Sequence, residues 1–439
     1  MTPDDPLDAA RRLVAAGRFD GALKALAGAP PGRGRDRLLA AAHLGRRQAA
    51  KAMPLLAALL AADPADAEAL FLLGRAHLAA NDAFAAAGAF ERLAALAPDH
   101  PGLDAALAGA YRRDARYAEA IALAVRAGER GRLGPDLLYE AAMSRHHLGD
   151  AAGALRDYDA LVALDPEHAA AWFGGHAAAL HLHGLDAALR RLERAVRCGG
   201  ANGKYWSFLY AYALLAGREA EAAALHAERL APHPKRRALA DGVAALRPHL
   251  AAGCRIHGVS AALLREALAE AEGPGLVLEF GVRRGASIAA LAQAEPETEI
   301  HGFDSFEGLP EGWFTAPQGL LTTGKSLPAV PPNVTLHPGW FDDTLPAFLA
   351  AHPGPVRFVN IDSDIYASAR TALTLLAPRI RPGTMLVFDE MIGNRSWRED
   401  EYRAFQEFVA AEGVLYEITA LSPYTKQVAV RVLGMGGRG

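Results

Sequence analysis

The first half of the chain repeats with a period of 34 residues. Proline stands at Pro30, Pro64, Pro98 and Pro166, at intervals of 34, 34 and 68 residues. The residue 22 positions after every register point, including the two points that lack proline, is alanine: Ala52, Ala86, Ala120, Ala154, Ala188 and Ala222. Small residues at one fixed phase allow paired helices to cross closely, so the period predicts stacked helical units.

Two segments show the repeat most clearly, LFLLGRAHLAANDAFAAAGAFERLAALAPDH at 70–100 and AWFGGHAAALHLHGLDAALRRLERAVRCGG at 171–200. Both resemble tetratricopeptide repeats, each of which is an antiparallel helix pair. The resemblance implies five or six repeats within residues 1–230, an all-α solenoid whose concave surface can bind a partner protein. A stability scaffold or an arm for self-association is the alternative. Residues 231–255 are predicted to be a connector or a last capping helix.

Beyond residue 256 short apolar runs alternate with helical ones. This alternation is typical of an α/β doubly wound, Rossmann-like domain, in which a parallel sheet is covered on both faces. The domain is predicted to span 256–433, with a flexible tail at 434–439. Its last two apolar runs, VLYEITALS and KQVAVRVLG, are joined by a short turn at Pro423 and Tyr424. This hairpin predicts that the last strand is antiparallel.

The turn after the first predicted strand bears on the ligand. It reads Glu279-Phe-Gly281-Val-Arg-Arg-Gly285 and lacks the G-x-G-x-x-G pattern that dinucleotide enzymes usually carry. This absence and the terminal hairpin argue against a nicotinamide-dependent oxidoreductase. Gly281 and Gly285 still permit a sharp turn close to a bound ligand. Asp304 ends the next strand, where a carboxylate is placed to accept hydrogen bonds from the two hydroxyls of a ribose.

Five segments, in chain order, carry a more specific resemblance: LEFGVRRGASI, HGFDSFEGLPE, VNIDSDIYASARTAL, PRIRPGTMLVFDE and NRSWREDEYRAFQEF. They resemble a class I S-adenosylmethionine-dependent methyltransferase of the macrocin O-methyltransferase-like group. The resemblance implies that Glu279 and Gly281 line the methionine part of S-adenosylmethionine and that Asp304 holds its ribose. The residues implied to contact the adenosine part are Ser305, Phe306, Gly339 and Trp340. A place in the core is the equal alternative for the Trp340 indole.

Carboxylates gather at the predicted ends of two neighbouring strands. Asp362 ends VRFVNID, and Asp389 with Glu390 ends TMLVFDE. Acidic side chains at one sheet edge repel one another and lose water, which is unfavourable unless a cation lies between them. Oxygen ligands suit Mg²⁺ better than zinc, and the related methyltransferases hold a metal with the equivalents of these three residues. Many relatives carry Asp or Asn in place of Glu390, so Asn394 is an alternative ligand, and Asp364 is a second candidate or a helix cap.

This arrangement favours transfer of a methyl group from sulfonium to oxygen. The metal would bind a hydroxyl of a sugar, glycan or polyphenol acceptor, lower its pKa and align it with the methyl carbon. Asp362 is the candidate general base. The long aperiodic segment 307–333 is predicted to be a lid, with Trp313, Phe314 and Lys325 as candidate contacts. An irregular surface excursion is the alternative interpretation of this segment.

Composition limits the other classes of function. Lysine and arginine total 46 against 50 aspartates and glutamates, and the net charge of −4 is too weak to recruit nucleic acid or anionic lipid. Cys198 and Cys254 lack the spacing of a disulfide framework or a zinc site. No apolar run reaches about 18 residues, and the N-terminus lacks a secretory pattern. We therefore expect no membrane association and a cytoplasmic location.

The alternative function is that of an adaptor, which binds partners through its repeats and carries an idle methyltransferase-like domain. The chain keeps Glu279, Gly281, Asp304, Asp362 and Asp389 together. An adaptor has no physical use for all five residues, so the sequence favours an enzyme.

Overall fold

Paired helices make up the N-terminal half of the chain. The computed structural model describes residues 5–312 and 318–436, and within them seven consecutive helix pairs precede the sheet. The helices are α1 (Pro6–Ala15), α2 (Phe19–Ala27), α3 (Arg33–Gly45), α4 (Ala49–Ala62), α5 (Ala67–Ala79), α6 (Ala83–Leu96), α7 (Leu103–Arg113), α8 (Tyr117–Glu129), α9 (Pro135–His147), α10 (Ala151–Leu164), α11 (Ala169–His183), α12 (Leu185–Arg197), α13 (Tyr205–Leu215) and α14 (Glu219–Leu225). The all-α repeat region is confirmed, with more pairs than the five or six expected.

Aspartate side chains begin several of these helices. The Asp66 carboxylate accepts a hydrogen bond from the backbone N–H of Ala69 at 3.0 Å, and Asp82 accepts one from Ala85 at 2.9 Å. Each bond satisfies an N–H group of the first helical turn, which has no partner within the helix. Helices α5 and α6 therefore begin at positions that the sequence marks.

Small residues explain how closely the helices pack. The six alanines that share the phase of the repeat are all buried, with exposed fractions of at most 1%. Glycines serve in the same way, because a Cβ atom at Gly74 would overlap the ring of Phe90 and one at Gly174 would overlap Tyr158. The spacing of small residues is thus a packing signal.

Ion pairs join residues that lie about one repeat apart. Arg132 Nη1 lies 2.5 Å from Asp99 Oδ1, and Arg218 Nη2 lies 2.6 Å from Asp186 Oδ1, at sequence separations of 33 and 32 residues. All four side chains are exposed. Pairs of this kind contribute little each, so buried apolar contacts carry most of the stability of the repeats.

An eight-stranded sheet forms the second half of the described chain. Its strands are β1 (Leu250–Ile256), β2 (Leu276–Phe280), β3 (Ile300–Asp304), β4 (Val334–Pro338), β5 (Val356–Ile361), β6 (Met385–Phe388), β7 (Leu415–Leu421) and β8 (Val428–Gly434), in the order β1-β7-β8-β6-β5-β2-β3-β4. The helices of this half are α16 (Ser260–Glu270), α17 (Ala286–Ala294), α18 (Phe341–Ala351), α19 (Tyr366–Leu376) and α20 (Glu401–Glu412). β8 is antiparallel to both β6 and β7, while the other pairs are parallel. The Rossmann-like fold and the antiparallel last strand are confirmed.

The sheet begins earlier in the chain than the sequence suggested. The connector was expected to reach residue 255, but residues 250–256 form β1, which pairs with β7. Before β1 lie a π-helical turn at His226–Leu230, α15 (Ala238–Leu246), and 3₁₀ turns at Pro234–Arg236 and Arg247–His249. The run that becomes β1 contains Gly253 and Arg255 and is half-exposed, as suits an edge strand, so its apolar pattern is weak.

Alternate residues of the central strands enter two separate cores. Leu278 and Val359 belong to one hydrophobic cluster, whereas Val277 and Phe358 belong to the other. Successive side chains of a strand point to opposite faces of the sheet, so both faces are covered and the central strands are buried. Because the middle of each strand is buried, a polar side chain of these strands can most readily reach a ligand at the strand ends.

Contacts within the described chain separate it into two compact units. The first comprises residues up to Glu140 with the described part of 307–323, and the second comprises 141–306 and 324–436. Helices α10 to α14 thus belong to the same unit as the sheet, although the predicted domain boundary lay near residue 230. Among the helices that the structure describes, none has both the length and the apolar character required to cross a membrane.

Candidate active site at the carboxyl edge of the sheet

The carboxyl ends of β2, β3, β5 and β6 lie side by side. Phe280, the last residue of β2, is paired with Phe303 and with Ile361. The backbone N–H of Asp362 donates to the carbonyl of Phe280 at 2.8 Å, and that of Asp389 donates to the carbonyl of Ile361 at 2.9 Å. The structure thus brings the strand-end acids to one edge, where open α/β sheets bind ligands.

Backbone conformation and lack of space explain why glycine occupies two positions of the turn after β2. Gly281 has φ 95°, and a Cβ atom there would overlap the carbonyl oxygen of Asp362. Gly285 has φ 81° and precedes α17, where a Cβ atom would lie 3.3 Å from Pro328. Both φ values are costly for residues with a side chain. Contact of these glycines with a cofactor stays a prediction.

Asp304 is held by the backbone of two loops. Its Oδ2 accepts a hydrogen bond from the N–H of Arg283 at 2.7 Å, and its Oδ1 accepts one from the N–H of Phe306 at 2.7 Å. Burial raises the pKa of the Asp304 carboxyl, and these backbone donors oppose the shift. The carboxylate therefore has a fixed orientation at the end of β3, with further lone pairs for a ligand.

The other predicted adenosine contacts lie at the same edge. The N–H of Gly339 donates to the backbone carbonyl of Asp304 at 2.9 Å, and half-buried Trp340 immediately precedes α18. Ser305 lies in the loop after Asp304. The side chain of Phe306 is 2% exposed and packs in a hydrophobic core cluster, and its contact with adenosine stays a prediction. The sequence alone does not distinguish these two roles, because an apolar side chain next to a strand end can pack in the core or contact a ligand.

Glu279 is fully buried in β2. Its Oε1 accepts a hydrogen bond from Ser287 Oγ at 2.8 Å, and its Oε2 accepts one from Asn360 Nδ2 at 3.1 Å. Burial raises the pKa of Glu279 to about 8, and the two hydrogen bonds oppose the shift. Glu279 therefore joins α17 to β5 beneath the turn, and its contact with the methionine part of a cofactor stays a prediction.

Three aspartates form the centre of the acidic edge. Burial and the charge of neighbouring carboxylates raise the pKa of Asp362 well above its ordinary value, that of Asp364 to about 8 and that of Asp389 to about 7. Gln427 Nε2 donates to Asp389 Oδ1 at 2.6 Å. Within the described residues no side chain donates a hydrogen bond to Asp362 or Asp364. The edge thus holds more negative charge than its own donors balance.

Glu390 and Asn394 meet around a lysine. Lys426 Nζ donates to Glu390 Oε1 at 2.7 Å and to Asn394 Oδ1 at 2.7 Å, and Asn394 Nδ2 donates to Glu390 Oε2. The two residues that the sequence offered as alternative metal ligands are thus bonded to each other and to one ammonium group.

Glu401 is a buried acid that the sequence analysis did not assign. Its Oε1 accepts a hydrogen bond from the N–H of Ser363 at 3.2 Å, and its Oε2 accepts one from the N–H of Glu390 at 3.1 Å. The side chain therefore ties the loop after β5 to the loop after β6. The aromatic residues of the same segment, Trp397, Phe405 and Phe408, are buried in the core. Their helical spacing indicates burial in the sequence, whereas nothing in the sequence around Glu401 indicates that this acid is buried.

Four of the nine residues other than glycine that have positive φ among the described residues lie at this edge. Arg283, Phe306, Asp364 and Lys426 have φ values of 48°, 59°, 63° and 66°. They lie in the loops after β2, β3 and β5 and in the turn between β7 and β8. Left-handed residues other than glycine cost about 1–3 kcal/mol each and cluster at functional sites. The strain supports the assignment of this edge as a ligand site.

The residues present can be compared with the needs of a divalent cation. Across residues 5–312 and 318–436, no group of three or more His, Cys, Asp or Glu side chains is arranged so that it could hold a metal ion. The donor chemistry nevertheless fits, because Asp362, Asp364 and Asp389 are oxygen donors whose mutual repulsion a cation would remove. Glu390 fits less well, since Lys426 already neutralises it.

The predicted lid is only partly described. Its residues 307–312 and 318–333 contain no helix or strand, and the N–H of Leu309 donates to the carbonyl of Leu320 at 2.8 Å. The N–H of Lys325 donates to the carbonyl of Phe306 at 3.1 Å. Trp313 and Phe314, two of the predicted contacts, lie outside the described residues.

Comparisons with known proteins identify relatives of the region that contains this edge. Residues 278–391 match the family model described as a methyltransferase domain. The 8-demethyl-8-(2,3-dimethoxy-alpha-L-rhamnosyl)-tetracenomycin-C 4'-O-methyltransferase of Streptomyces olivaceus is 30% identical over 141 residues, which cover 27% of this chain and 53% of that protein. The demethyldecarbamoylnovobiocin O-methyltransferase of Streptomyces niveus is 27% identical over 157 residues, which cover 30% of this chain and 59% of that protein. The chain thus spans little more than half the length of these curated relatives.

Solved structures resemble the two halves separately. The calicheamicin methyltransferase CalS11 is 24% identical, covers 39% of this chain and 77% of its own, and has a TM-score of 0.33. A tetratricopeptide repeat protein from Parabacteroides merdae is 12% identical, covers 52% of this chain and 91% of its own, and has a TM-score of 0.44. The predicted site residues from Glu279 to Glu390 lie within the family match at 278–391, and the alternative ligand Asn394 lies just beyond it. Residues 278–391 therefore carry a methyltransferase domain, and a series of paired helices precedes it.

Proposed function

We propose that the protein is an S-adenosylmethionine-dependent O-methyltransferase that acts on a hydroxyl of a sugar, glycan or natural-product-like acceptor. The observation that carries the proposal is the convergence of Asp304, Asp362 and Asp389 at one edge of a methyltransferase domain. The two curated relatives are named as O-methyltransferases, and one name contains a rhamnosyl group. This supports a glycosylated acceptor.

The chain's own residues account for binding and proton transfer. Bound S-adenosylmethionine supplies a methyl group on a sulfonium sulfur. Asp304, fixed by two backbone N–H groups, accepts hydrogen bonds from the ribose hydroxyls. Asp362 takes the proton of the acceptor hydroxyl as general base. The buried strand ends exclude water from the reacting atoms.

Mg²⁺ is the proposed metal. It would bind at Asp362, Asp364 and Asp389 and supply a positive charge that lowers the pKa of the acceptor hydroxyl. Glu390 and Asn394, which are paired with Lys426, would then support the site from outside rather than bind the ion directly. The set differs from the sequence-based proposal of Asp362, Asp389 and Glu390 by one residue.

Calorimetry and a methyl-transfer assay test the proposal together. S-adenosylhomocysteine should bind the full chain, and transfer of labelled methyl groups to a panel of glycosides and phenols should require Mg²⁺ and stop with EDTA. Transfer that is insensitive to EDTA would indicate a metal-free methyltransferase. Absence of cofactor binding would support the adaptor, in which the repeats alone have a function.

A further inference from the structure

The turn between β7 and β8 contacts the helical repeats on one side and the acidic edge on the other. It spans 422–427 and lies in the same compact unit as α10 to α14 and the final residues of α9. The turn is internally bonded, because the N–H of Ser422 donates to the carbonyl of Gln427 at 2.8 Å and the N–H of Thr425 donates to Ser422 Oγ at 3.1 Å. These bonds join the two ends of the turn.

Tyr424 inserts into the repeats. Its ring lies edge-on to His146 of α9, with centroids 5.0 Å apart, and edge-on to His176 of α11, with centroids 5.2 Å apart. Its hydroxyl lies 3.6 Å from the sulfur of Met143, and Phe173 is 6.0 Å away between ring centroids. Edge-to-face aromatic contacts of this kind are directional, so the pocket fixes the orientation of the ring.

A second contact joins the same helices to the sheet domain. His146 Nε2 lies 2.7 Å from the carbonyl oxygen of Gly258, and a Cβ atom at Gly258 would overlap the carbonyl of Ala177 in α11. Two residues further, Ser260 Oγ accepts a hydrogen bond from Gln427 Nε2 at 2.8 Å. The repeats thus hold the turn through its tyrosine and through the loop that its glutamine contacts.

The residues that follow Tyr424 hold the acids. Lys426 donates to Glu390 and Asn394, and Gln427 donates to Asp389 as well as to Ser260. All of these bonds have lengths between 2.6 and 2.8 Å. Lys426 and Arg283 are cations whose charges act on Asp364 of the acidic edge, and Lys426 has a left-handed backbone with φ 66°.

We propose that the repeats are part of the active-site scaffold, and that Tyr424 is a positioning residue whose insertion into the α9–α11 pocket sets Lys426 and Gln427 against Glu390 and Asp389. The link to catalysis rests on the proposed methyltransferase function. The structural connection between Tyr424 and residues 389–394 does not rest on that function, because it concerns only the order of this loop. Under this proposal the repeats are more than a separable docking arm.

The test compares Tyr424→Ala, Tyr424→Phe and wild type as full chains by hydrogen–deuterium exchange. Amides of 389–394 should exchange about tenfold faster in Tyr424→Ala, because Asp389 and Glu390 lose their fixed partners, and Tyr424→Phe should restore the wild-type rate because the ring remains. Tyr111→Ala is the matched control, since Tyr111 is a half-buried repeat tyrosine bonded to Glu91. It should leave these amides unchanged.

Met143→Ala opens the pocket from the repeat side and keeps the test decisive if Tyr424→Ala does not fold. It should also raise exchange at 389–394, by a smaller factor. Unchanged exchange at 389–394 in the folded pocket variants would overturn the proposal, as would equal loosening in Tyr111→Ala.

Calorimetry with S-adenosylhomocysteine separates this proposal from the proposed function. Its Kd should stay within about twofold in Tyr424→Ala, because the hydrogen bonds described for Asp304 come from Arg283 and Phe306 rather than from the turn. With an acceptor that wild type methylates, kcat should fall about tenfold while KM for S-adenosylmethionine is unchanged, and Tyr424→Phe should recover kcat. A wild type that binds no cofactor would refute the proposed function and leave the exchange result to decide the positioning of the loop.

Discussion

The helical repeats and the carboxyl edge of the sheet distribute charge in opposite ways. In the repeats, acids lie beside arginines of opposite charge, as in the exposed pairs Arg132–Asp99 and Arg218–Asp186. At the sheet edge, Asp362, Asp364 and Asp389 are partly buried and Glu401 is fully buried. Burial and the charge of neighbouring carboxylates raise the pKa of all four.

The contrast separates charges that serve the fold from charges that serve a ligand. Exposed ion pairs contribute about 0–1 kcal/mol each and keep the surface soluble. Buried like charges are unfavourable for folding, so stability does not explain them. Under the proposed function, a cation and a polar substrate at the sheet edge would explain them.

Replacement of Asp362 should give the largest effect. Asp362→Ala removes the proposed base and a proposed metal ligand, so methyl transfer should fall by at least about 1000-fold. The Kd of S-adenosylhomocysteine should change by no more than a few fold. The exposed acid Glu297 supplies the control Glu297→Ala, which should transfer normally. Full activity of Asp362→Ala would contradict the conclusion that the acids of the sheet edge serve a ligand.

Asp304→Ala should have the converse effect. Loss of the ribose acceptor and of the bonds to Arg283 and Phe306 should weaken S-adenosylmethionine binding about 100-fold, measured by calorimetry. At saturating cofactor, kcat should change much less. Asp304→Asn keeps one carbonyl acceptor and should be intermediate. Equal affinity in all three proteins would show that Asp304 only holds the turn.

Removal of Glu401 tests whether every acid at the edge serves a ligand. Glu401→Ala leaves the N–H groups of Ser363 and Glu390 without their acceptor, which should lower the free energy of unfolding by about 2 kcal/mol in urea titration. Glu401→Gln keeps one acceptor and should lose less. A stabilised Glu401→Ala would mean that charge repulsion outweighs these bonds and that Glu401 belongs with the ligand-binding acids.

The buried histidines of the repeats predict acid sensitivity. Burial lowers the pKa of His146 to about 4 from 6.5. Between these values the unfolded chain binds more protons than the folded one, so the free energy of unfolding falls as pH is lowered from 6.5 toward 4, by about 1 kcal/mol per pH unit. His146→Gln should reduce this slope in urea titrations at pH 7.5, 6 and 5. A slope equal to that of wild type would contradict the assignment.

The smallest effect is expected for an exposed pair of the repeats. A double-mutant cycle of Arg132→Ala and Asp99→Ala should give a coupling below about 1 kcal/mol, reduced further by salt. Arg218 and Asp186 form a second exposed pair, separated by 32 residues, and serve as the replicate. A coupling of several kcal/mol would remove the distinction between the two regions.

The strand-end acids could be predicted, while their partners could not. Asp362 and Asp389 follow apolar runs that are recognisable strands, and parallel strands place such ends together. Lys426 and Gln427 contact acids that lie 36 and 38 residues away in the chain, and Glu401 reaches Ser363 across 38 residues. No local pattern encodes those distances.

Glycine and phenylalanine illustrate a related limit. Gly281 was expected to approach a ligand, and it is glycine because the carbonyl of Asp362 leaves no room for a Cβ atom. Phe306 was expected to border adenosine, and its side chain is buried in a hydrophobic cluster of the sheet domain. In both cases the residue type was informative, but the surroundings that decide its role come from other strands.

By itself the sequence determined the helical repeats, the wound sheet with its reversed last strand and the row of strand-end acids, because periodic burial and chain breaks are properties of neighbouring residues. Tertiary structure decided that β8 lies between β6 and β7, which carries Lys426 to Glu390 and Tyr424 into the repeats. Contacts between distant segments depend on the path of the whole chain, and that path is fixed only when the cores close.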